Sequence, residues 1–158
     1  MPVFPRDDLF QQNGATTSTF IVEIGGRPFG RFTEVDGLQV EVEVETYKEG
    51  GENAFEHKFP GRMSWPNLVL KRGVTWHNDV IDWFNNAAGE TFAAEGRAYR
   101  ETVGVSLVNG QGERLRTWTF YEAIPIKWTG PTLSVDSESV ASEELEIAHH
   151  GFDSVTHA

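Results

Sequence analysis

Histidines and carboxylates are the side chains of this 158-residue sequence that could bind a metal or support acid–base catalysis. The chain has five His and 24 Asp and Glu residues, and it has no Cys. The adjacent pair His149-His150 is the densest candidate for a metal site. Neighbouring residues of a strand point to opposite faces of a sheet, so these two imidazoles are not expected to share one ion. We therefore expect no metal and no cofactor.

The carboxylates give little indication of catalysis. The sequence contains no nucleophile elbow, phosphate-binding loop, EF-hand or zinc-type spacing. Each stretch rich in Asp and Glu falls on a predicted strand face or in a loop. The sequence therefore favours a protein that is not an enzyme, and a glycosidase-like pair of carboxylates on a β-scaffold stays open as an alternative.

The net charge of −11 is concentrated in two blocks. Residues 34–56 carry eight acidic groups and one basic group, and residues 132–158 carry six acidic groups and no Lys or Arg. Binding to nucleic acid phosphates requires clustered Lys and Arg, so the charge pattern argues against a protein that grips nucleic acid. Acidic blocks of this kind are otherwise typical of solvated surface.

The clearest structural signal is an alternation over residues 38–45. Leu38, Val40, Val42 and Val44 alternate there with Gln39, Glu41, Glu43 and Glu45. This period of two predicts a strand whose aliphatic face is buried. Its other face carries three carboxylates, spaced about 6.6 Å apart along the strand. A later predicted strand, residues 139–148, carries Glu144 and Glu146 on one side in the same way.

The elements that must position these side chains are mostly strands. Further strands are predicted over residues 19–24, 29–36, 67–72, 102–108, 114–121 and 124–128. One helix is predicted over residues 76–86, with Thr75 as its N-cap and an apolar stripe formed by Trp76, Val80, Trp83, Phe84 and Ala87. The sequence predicts a single domain over residues 1–158, an antiparallel β-sandwich or barrel with one packed α-helix. Residues 1–18 are predicted to be a flexible or partner-ordered arm.

A long polar loop is predicted over residues 47–62. Gly50-Gly51 opens it and Pro60-Gly61 gives a turn signal near its end. Loops of this length are often functional. The loop holds the apolar pair Ala54-Phe55, and an exposed Phe in such a loop indicates docking onto another protein surface.

Three sequence words in and beyond this loop carry a resemblance to a known family. They are Tyr-Lys-Glu-Gly-Gly-Glu-Asn at residues 47–53, Phe-Pro-Gly at residues 59–61 and Leu-Lys-Arg-Gly at residues 70–73. In this order they resemble the tail tube (inner tube) proteins of contractile phage tails and extracellular contractile injection systems. The similarity extends from residue 29 to residue 151 and so covers nearly the whole chain.

The resemblance implies a structural subunit that forms hexameric rings, stacked head to tail around a continuous inner β-barrel. It implies a surrounding sheath, baseplate and cap proteins, and a transient cargo of DNA or protein in the lumen. We predict three sets of site residues on this basis. The inter-ring contact loop contains Glu49, Gly50, Gly51, Glu52, Asn53, Phe55, Pro60 and Gly61. The lumen-facing carboxylates are Glu41, Glu43, Glu45, Glu144 and Glu146, and the anchors of an outer helix are Trp76, Val80, Trp83 and Phe84.

A small β-barrel binding module that acts as a monomer or dimer is the alternative function. The first eight residues lack the basic start and apolar run of a signal peptide, and no stretch approaches the roughly 18 apolar residues of a membrane span. We therefore expect synthesis in the cytoplasm and a place in a virion tail or an extracellular phage tail-like particle.

Overall fold

Strands make up most of this computed structural model, which describes residues 19–47, 56–74, 78–89, 94, 96, 99–136 and 141–157. Among these residues there are ten strands and a ten-residue helix, α1 (Asp79–Ala88). The strands are β1 (Thr19–Ile24), β2 (Arg27–Phe32), β3 (Glu34–Asp36), β4 (Glu41–Tyr47), β5 (His57–Ser64), β6 (Leu68–Gly73), β7 (Glu101–Val108), β8 (Arg114–Thr129), β9 (Ser142–Ala148) and β10 (Phe152–Thr156).

The main sheet is antiparallel and curves back on itself. Its strand order is β2-β1-β7-β8-β9-β6-β3, and β10 pairs with β8 beside this path. The two end strands, β2 and β3, are separated in sequence by Thr33 alone, whose N–H donates to the carbonyl of Lys71 at 2.9 Å. The ends of the sheet are therefore close together, and the predicted antiparallel barrel with one helix is confirmed.

The hydrophobic core lies inside this curved sheet. Alternate residues of β1, β6, β7, β8 and β9 point into it, and α1 adds two side chains. The fully or almost fully buried members are Val22, Ile24, Phe32, Leu68, Leu70, Val80, Trp83, Val103, Val105, Phe120, Ala123, Leu145 and Ile147. The period of two in these strands is what brings one aliphatic side of each strand to the same interior.

The long strand β8 joins two halves of the sheet. Its first part pairs with β7 and β10, and residues 124–129 pair with β9. The sequence predicted two separate strands here, because Pro125 cannot donate to a ladder. The chain instead bends at Glu122, which has a φ of 52°, and continues in strand conformation through Pro125. A bulge between Pro125 and Lys127 accommodates the proline.

Two other parts of the strand prediction are wrong. Residues 29–36 form β2 and β3 rather than one strand, because the chain leaves one end of the sheet at Thr33 and joins the other. The last predicted strand is β9, and it is followed by β10, which the sequence analysis missed. Gly151, with a φ of 117°, makes the connection, and its left-handed backbone conformation favours glycine.

The helix α1 packs on the barrel through its apolar stripe. Val80, Trp83 and Ala87 are buried, and Phe84 packs against the core while partly exposed. Trp83 meets Phe29 edge to face, with ring centroids 6.2 Å apart. The predicted cap Thr75 and the predicted anchor Trp76 lie outside the described residues. These contacts make α1 a fixed part of the barrel.

The strands β4 and β5 form a separate two-stranded sheet. The predicted loop over residues 47–62 therefore needs correction, because residues 57–62 belong to β5. Their pairing with β4 satisfies backbone groups that a loop would leave to water. Tyr47 belongs to β4, and Glu56 precedes β5. Residues 48–55 of the predicted loop lie outside the described residues, together with the predicted arm over residues 1–18.

Candidate assembly surfaces

One face of the β4–β5 hairpin is apolar and uncovered. Cross-strand partners lie on the same side of a sheet, and Val42 pairs with Met63 while Val44 pairs with Pro60. We call these four residues the valine face. Val42, Val44 and Met63 keep 39%, 57% and 51% of their surface exposed. The expectation that this aliphatic face is buried is wrong for the single chain, because β4 does not join the main sheet.

The opposite face of the hairpin carries the predicted carboxylates. Glu41, Glu43 and Glu45 alternate with the valines and are all exposed. Glu45 pairs with Phe59, so an exposed aromatic ring lies on this glutamate face. The structure thus brings the three carboxylates onto one side, as the alternation predicted, but adds an apolar side chain among them.

The predicted inter-ring residues divide into two groups. Glu49, Gly50, Gly51, Glu52, Asn53 and Phe55 lie outside the described residues. Pro60 and Gly61 are strand residues of β5, and Pro60 belongs to the valine face. A Cβ added to Gly61 would lie 3.5 Å from Cγ of Glu45, so Gly61 is on the glutamate face.

A second surface is the outer face of four adjacent strands. We call residues 124–129 of β8 with β9, β6 and β3 the four-stranded half sheet. Glu144 and Glu146 lie on its outer face, because Leu145 and Ile147 point into the core. The cross-strand register makes two lines of outward residues: Glu34, Lys71, Glu144 and Thr129 in one, and Asp36, Val69, Glu146 and Lys127 in the other.

Charges of opposite sign alternate across this outer face. Nζ of Lys71 lies 3.6 Å from a carboxylate oxygen of Glu34 and 3.7 Å from one of Glu144. The side-chain amide of Asn67 donates to Glu146 at 3.0 Å. Such exposed ion pairs contribute only about 0–1 kcal/mol each to stability, so their main effect is on surface charge. The outer face of the half sheet is therefore acidic with lysines interspersed.

Both edges of the four-stranded half sheet are open. In the described part of the chain, β3 pairs only with β6, and residues 124–129 of β8 pair only with β9. Unpaired edges are templates for pairing with another chain. Sequence reasoning missed these edges, because strand order in a sheet depends on contacts between distant residues. Pro125 was their only local signal, as proline in a sheet is typical of an edge or bulge.

The word Leu-Lys-Arg-Gly places one cation on each side of the half sheet. Lys71 lies outside, and Arg72 is buried with an ion pair from Nε to Oε1 of Glu143. The Arg72 guanidinium also lies over the rings of Phe29 and Phe32, at 5.4 and 4.8 Å from their centroids. Two aromatic faces and a carboxylate therefore hold this buried cation in the core.

The histidine pair is structural in this fold. Nδ1 of His149 accepts from the N–H of Gly151 at 3.0 Å, so Nε2 carries the proton and donates to the carbonyl of Pro66 at 3.0 Å. Burial lowers the pKa of His149 from its ordinary value of 6.5, and the hydrogen bond to the carbonyl of Pro66 opposes this shift. His150 instead lies 3.3 Å from a guanidinium nitrogen of Arg100.

The described ranges contain neither a metal-binding cluster nor a helix that could span a membrane. No group of three or more His, Asp or Glu residues there has the geometry to hold a metal ion. Within the same ranges, no helix combines the length and apolar character needed to cross a bilayer.

A family model and several solved structures match this chain. The model is that of the T4-like virus tail tube protein gp19, and it matches residues 16–153. No curated protein matches the chain.

Three solved structures give the fold comparison. A chain of the extended sheath-tube complex of the extracellular contractile injection system PVC has a TM-score of 0.77 and 23% identity, covering 98% of this chain and 99% of that one. A chain of the tube-terminating cap of the anti-feeding prophage has a TM-score of 0.75 and 24% identity, covering 99% and 95%. A chain of the PVC sheath/tube terminator has a TM-score of 0.72 and 26% identity, covering 87% and 93%.

The barrel with its protruding hairpin is thus the fold found in those particles, and the family match covers all but the ends of the chain. The chain belongs to the family of T4-like virus tail tube proteins, gp19, and is a structural tube subunit.

Proposed function

We propose that this chain forms hexameric rings that stack head to tail into the inner tube of a contractile injection particle. Its role in this proposal is structural, with no catalytic step. The observation that carries the proposal is the four-stranded half sheet with an open edge at each end. If β3 of one copy pairs with residues 124–129 of the next, a closed ring leaves neither edge exposed.

The dimensions of such a ring fit a conduit. Six copies of four strands make about 24 strands, and at a spacing of roughly 4.8 Å and a tilt of about 40° their circumference is near ~150 Å. The backbone diameter is then about 48 Å, and side chains leave a bore of roughly 35–40 Å. A bore of this width admits duplex DNA or a folded protein of about 100 residues, whose radius of gyration is near 13 Å.

The outer face of the half sheet is assigned to the bore. The core and α1 lie on the other side of these strands, so Glu144 and Glu146 face the lumen while α1 faces outward. Glu41, Glu43 and Glu45 continue the acidic lining along the hairpin. Carboxylates interspersed with lysines repel a polyanion without binding acidic proteins tightly, which lets cargo slide.

The hairpin is assigned to the contact between rings, together with residues 48–56 that join its strands. The valine face needs a cover that its own barrel does not provide. An exposed apolar patch of this kind is typical of a protein interface. The arm over residues 1–18 is proposed to become ordered in the same assembly.

The external partners follow from the particles that contain similar chains. Matching chains come from a sheath-tube complex, a tube-terminating cap, a sheath/tube terminator and a baseplate. We therefore place a sheath around this tube, with cap and baseplate proteins at its ends. The location is a virion tail or an extracellular particle.

A charge placed on the open edge of β8 tests the ring. Ile126 lies at the β8 bulge and is 43% exposed, so Ile126→Lys should leave the single chain folded. The new lysine should block edge pairing and convert tubes into small species in electron micrographs and light scattering. Ile81→Lys on α1 is the matched control, because Ile81 is 42% exposed.

The control variant should still form tubes. Tubes of normal length from folded Ile126→Lys protein would refute the edge assignment. A wild-type chain that stays a monomer or dimer would instead support the small binding module.

Neutralising Glu41, Glu43 and Glu45 to Gln tests the lumen assignment. Assembly should persist, because these carboxylates are exposed and leave the barrel core unchanged. Loading or ejection of cargo should change, since the lining loses three charges per subunit. An assembled structure in which these side chains point away from the bore would contradict the assignment.

A further inference from the structure

A second uncovered apolar surface lies between β8 and β9. Residues 130–136 read Gly-Pro-Thr-Leu-Ser-Val-Asp and run outside the strand ladders. Leu133 is 84% exposed and Val135 is 103% exposed, so both side chains are surrounded by solvent in the single chain. A connecting loop that faced only water could consist of polar residues, such as the Ser and Asp of this segment. Two aliphatic side chains two residues apart indicate a surface that acquires a cover.

The spacing of these two residues matches the valine face. Val42 and Val44 are about 6.6 Å apart in the strand β4, and Leu133 and Val135 have the same separation in sequence. Two aliphatic side chains with this spacing can interdigitate with two others, as facing strands do in a sandwich. Each patch therefore presents two aliphatic side chains that the other patch can cover.

The charges beside the two patches are complementary. The pair Thr46 and Lys58 follows Val44 along the valine face, and Lys58 is exposed. Asp136 follows Val135 and is the only charged residue among residues 130–136. When Val135 lies beside Val44, Asp136 lies at the lysine end of the hairpin. The opposite direction would move the two charges apart, so charge favours one orientation.

We propose that the valine face of one copy packs on Leu133 and Val135 of a second copy of this chain. The contact uses two different patches, so a bound pair of copies still offers one free patch of each kind. Such a heterologous contact propagates head to tail, whereas a hairpin bound to a second hairpin would close a dimer. This inference rests on the proposed tube and names the residues that join its successive copies.

The absence of cysteine in the wild-type chain allows a site-specific cross-linking test. Val44→Cys and Val135→Cys are made singly and mixed in assembled protein. Facing β-layers lie about 10 Å apart, beyond the reach of a disulfide, so a thiol-specific bismaleimide of about that length is used. The mixture should give a covalent dimer, and the double variant should give a ladder of higher oligomers.

Val155→Cys mixed with Val135→Cys is the matched control. Val155 is 56% exposed and Val44 is 57% exposed, so the two thiols are equally accessible, and the control should give no dimer. Cross-linking of Val44→Cys with itself would overturn the proposal in favour of a hairpin-to-hairpin contact. Tubes in micrographs without the Val44–Val135 product would refute this contact alone, and failure of the unmodified chain to form tubes would refute the proposed function.

Discussion

The hairpin and the barrel use the same sequence pattern with opposite results. In β9, Leu145 and Ile147 alternate with Glu144 and Glu146, and the two aliphatic side chains are at most 1% exposed. In β4, Val42 and Val44 alternate with glutamates, and both stay exposed. The strand propensity and the period are alike. The difference is that β9 has neighbours on both sides within a curved sheet, while β4 pairs with β5 alone among the residues that the structure describes.

This comparison distinguishes the presence of an apolar face on a strand from the origin of the surface that covers it. The pattern shows that one face is apolar, and burial of such a face contributes roughly 25 cal/mol per Å². It does not show whether the cover comes from the same chain or from another copy. In the barrel the cover is intramolecular, so substitutions there should change the stability of the single chain. In the hairpin they should change assembly.

The largest loss of stability is expected at the buried cation of the barrel. Arg72→Ala removes the partner of Glu143, whose side chain is 11% exposed, and leaves a nearly buried carboxylate without its cation. Breaking a buried pair in this way costs about 3–5 kcal/mol of unfolding free energy. Urea denaturation of the single chain measures the change.

Arg72→Met together with Glu143→Leu is the control for that variant. Replacing both charges by apolar groups should restore most of the lost stability. If Arg72→Ala alone costs less than about 1 kcal/mol, the pair is not a determinant of the barrel.

A smaller loss is expected at the helix that covers the core. Trp83 is 7% exposed, and no described residue accepts a hydrogen bond from its Nε1. Trp→Ala in a core costs about 3–5 kcal/mol, but removing an unpaired buried donor returns about 1–3 kcal/mol of that. We expect Trp83→Ala to cost about 2–4 kcal/mol by urea denaturation. Trp83→Phe should cost clearly less, and equal losses in both variants would contradict this account.

A matched pair of valines tests the comparison directly. Val105 is fully buried in the barrel and Val44 is 57% exposed on the hairpin. Val105→Thr buries a hydroxyl in the core and should cost about 1–3 kcal/mol of unfolding free energy. Val44→Thr should change it by less than about 0.5 kcal/mol while weakening tube formation in sedimentation assays. Equal destabilisation by the two variants would mean that the hairpin is covered within its own chain.

Periodicity and secondary-structure propensity predicted the strands and the helix whose formation depends mainly on neighbouring residues in the sequence. The strand at residues 19–24, the helix with Val80 and Trp83, and the alternation in β4 follow from period and propensity. The merged strand β8 and the additional strand β10 were missed because tertiary pairing outweighed the local signals of Pro125 and Gly151.

The candidate surfaces were predictable only in part. The side on which Glu41, Glu43 and Glu45 lie follows from alternation alone. The lysines interspersed with Glu144 and Glu146 come from strands distant in sequence, as do the open edges of the half sheet. The uncovered state of the valine face depends on the absence of a neighbouring strand, which no local pattern encodes.

The smallest expected change in the stability of the single chain concerns His149. His149 accepts from Gly151 and donates to Pro66, and its ring meets Phe120 edge to face with centroids 4.9 Å apart. Protonation of Nδ1 would place a donor against the N–H of Gly151. The fold therefore prefers the neutral imidazole, in agreement with the direction in which burial lowers the pKa of His149.

The pH dependence of stability should reveal this preference. Because the pKa of His149 is lower in the folded chain than its ordinary value of 6.5, the unfolded chain binds more protons below that pH. The contribution of His149 is therefore fully present above pH 6.5 and is lost as the pH falls through the folded pKa. Urea denaturation of the single chain at several pH values measures it, with His149→Gln as a control that keeps an amide donor for Pro66 but does not titrate. The wild type should lose more stability than this variant just below pH 6.5. If the unfolding free energies of the two proteins change in parallel with pH, protonation of His149 does not affect the stability of the barrel.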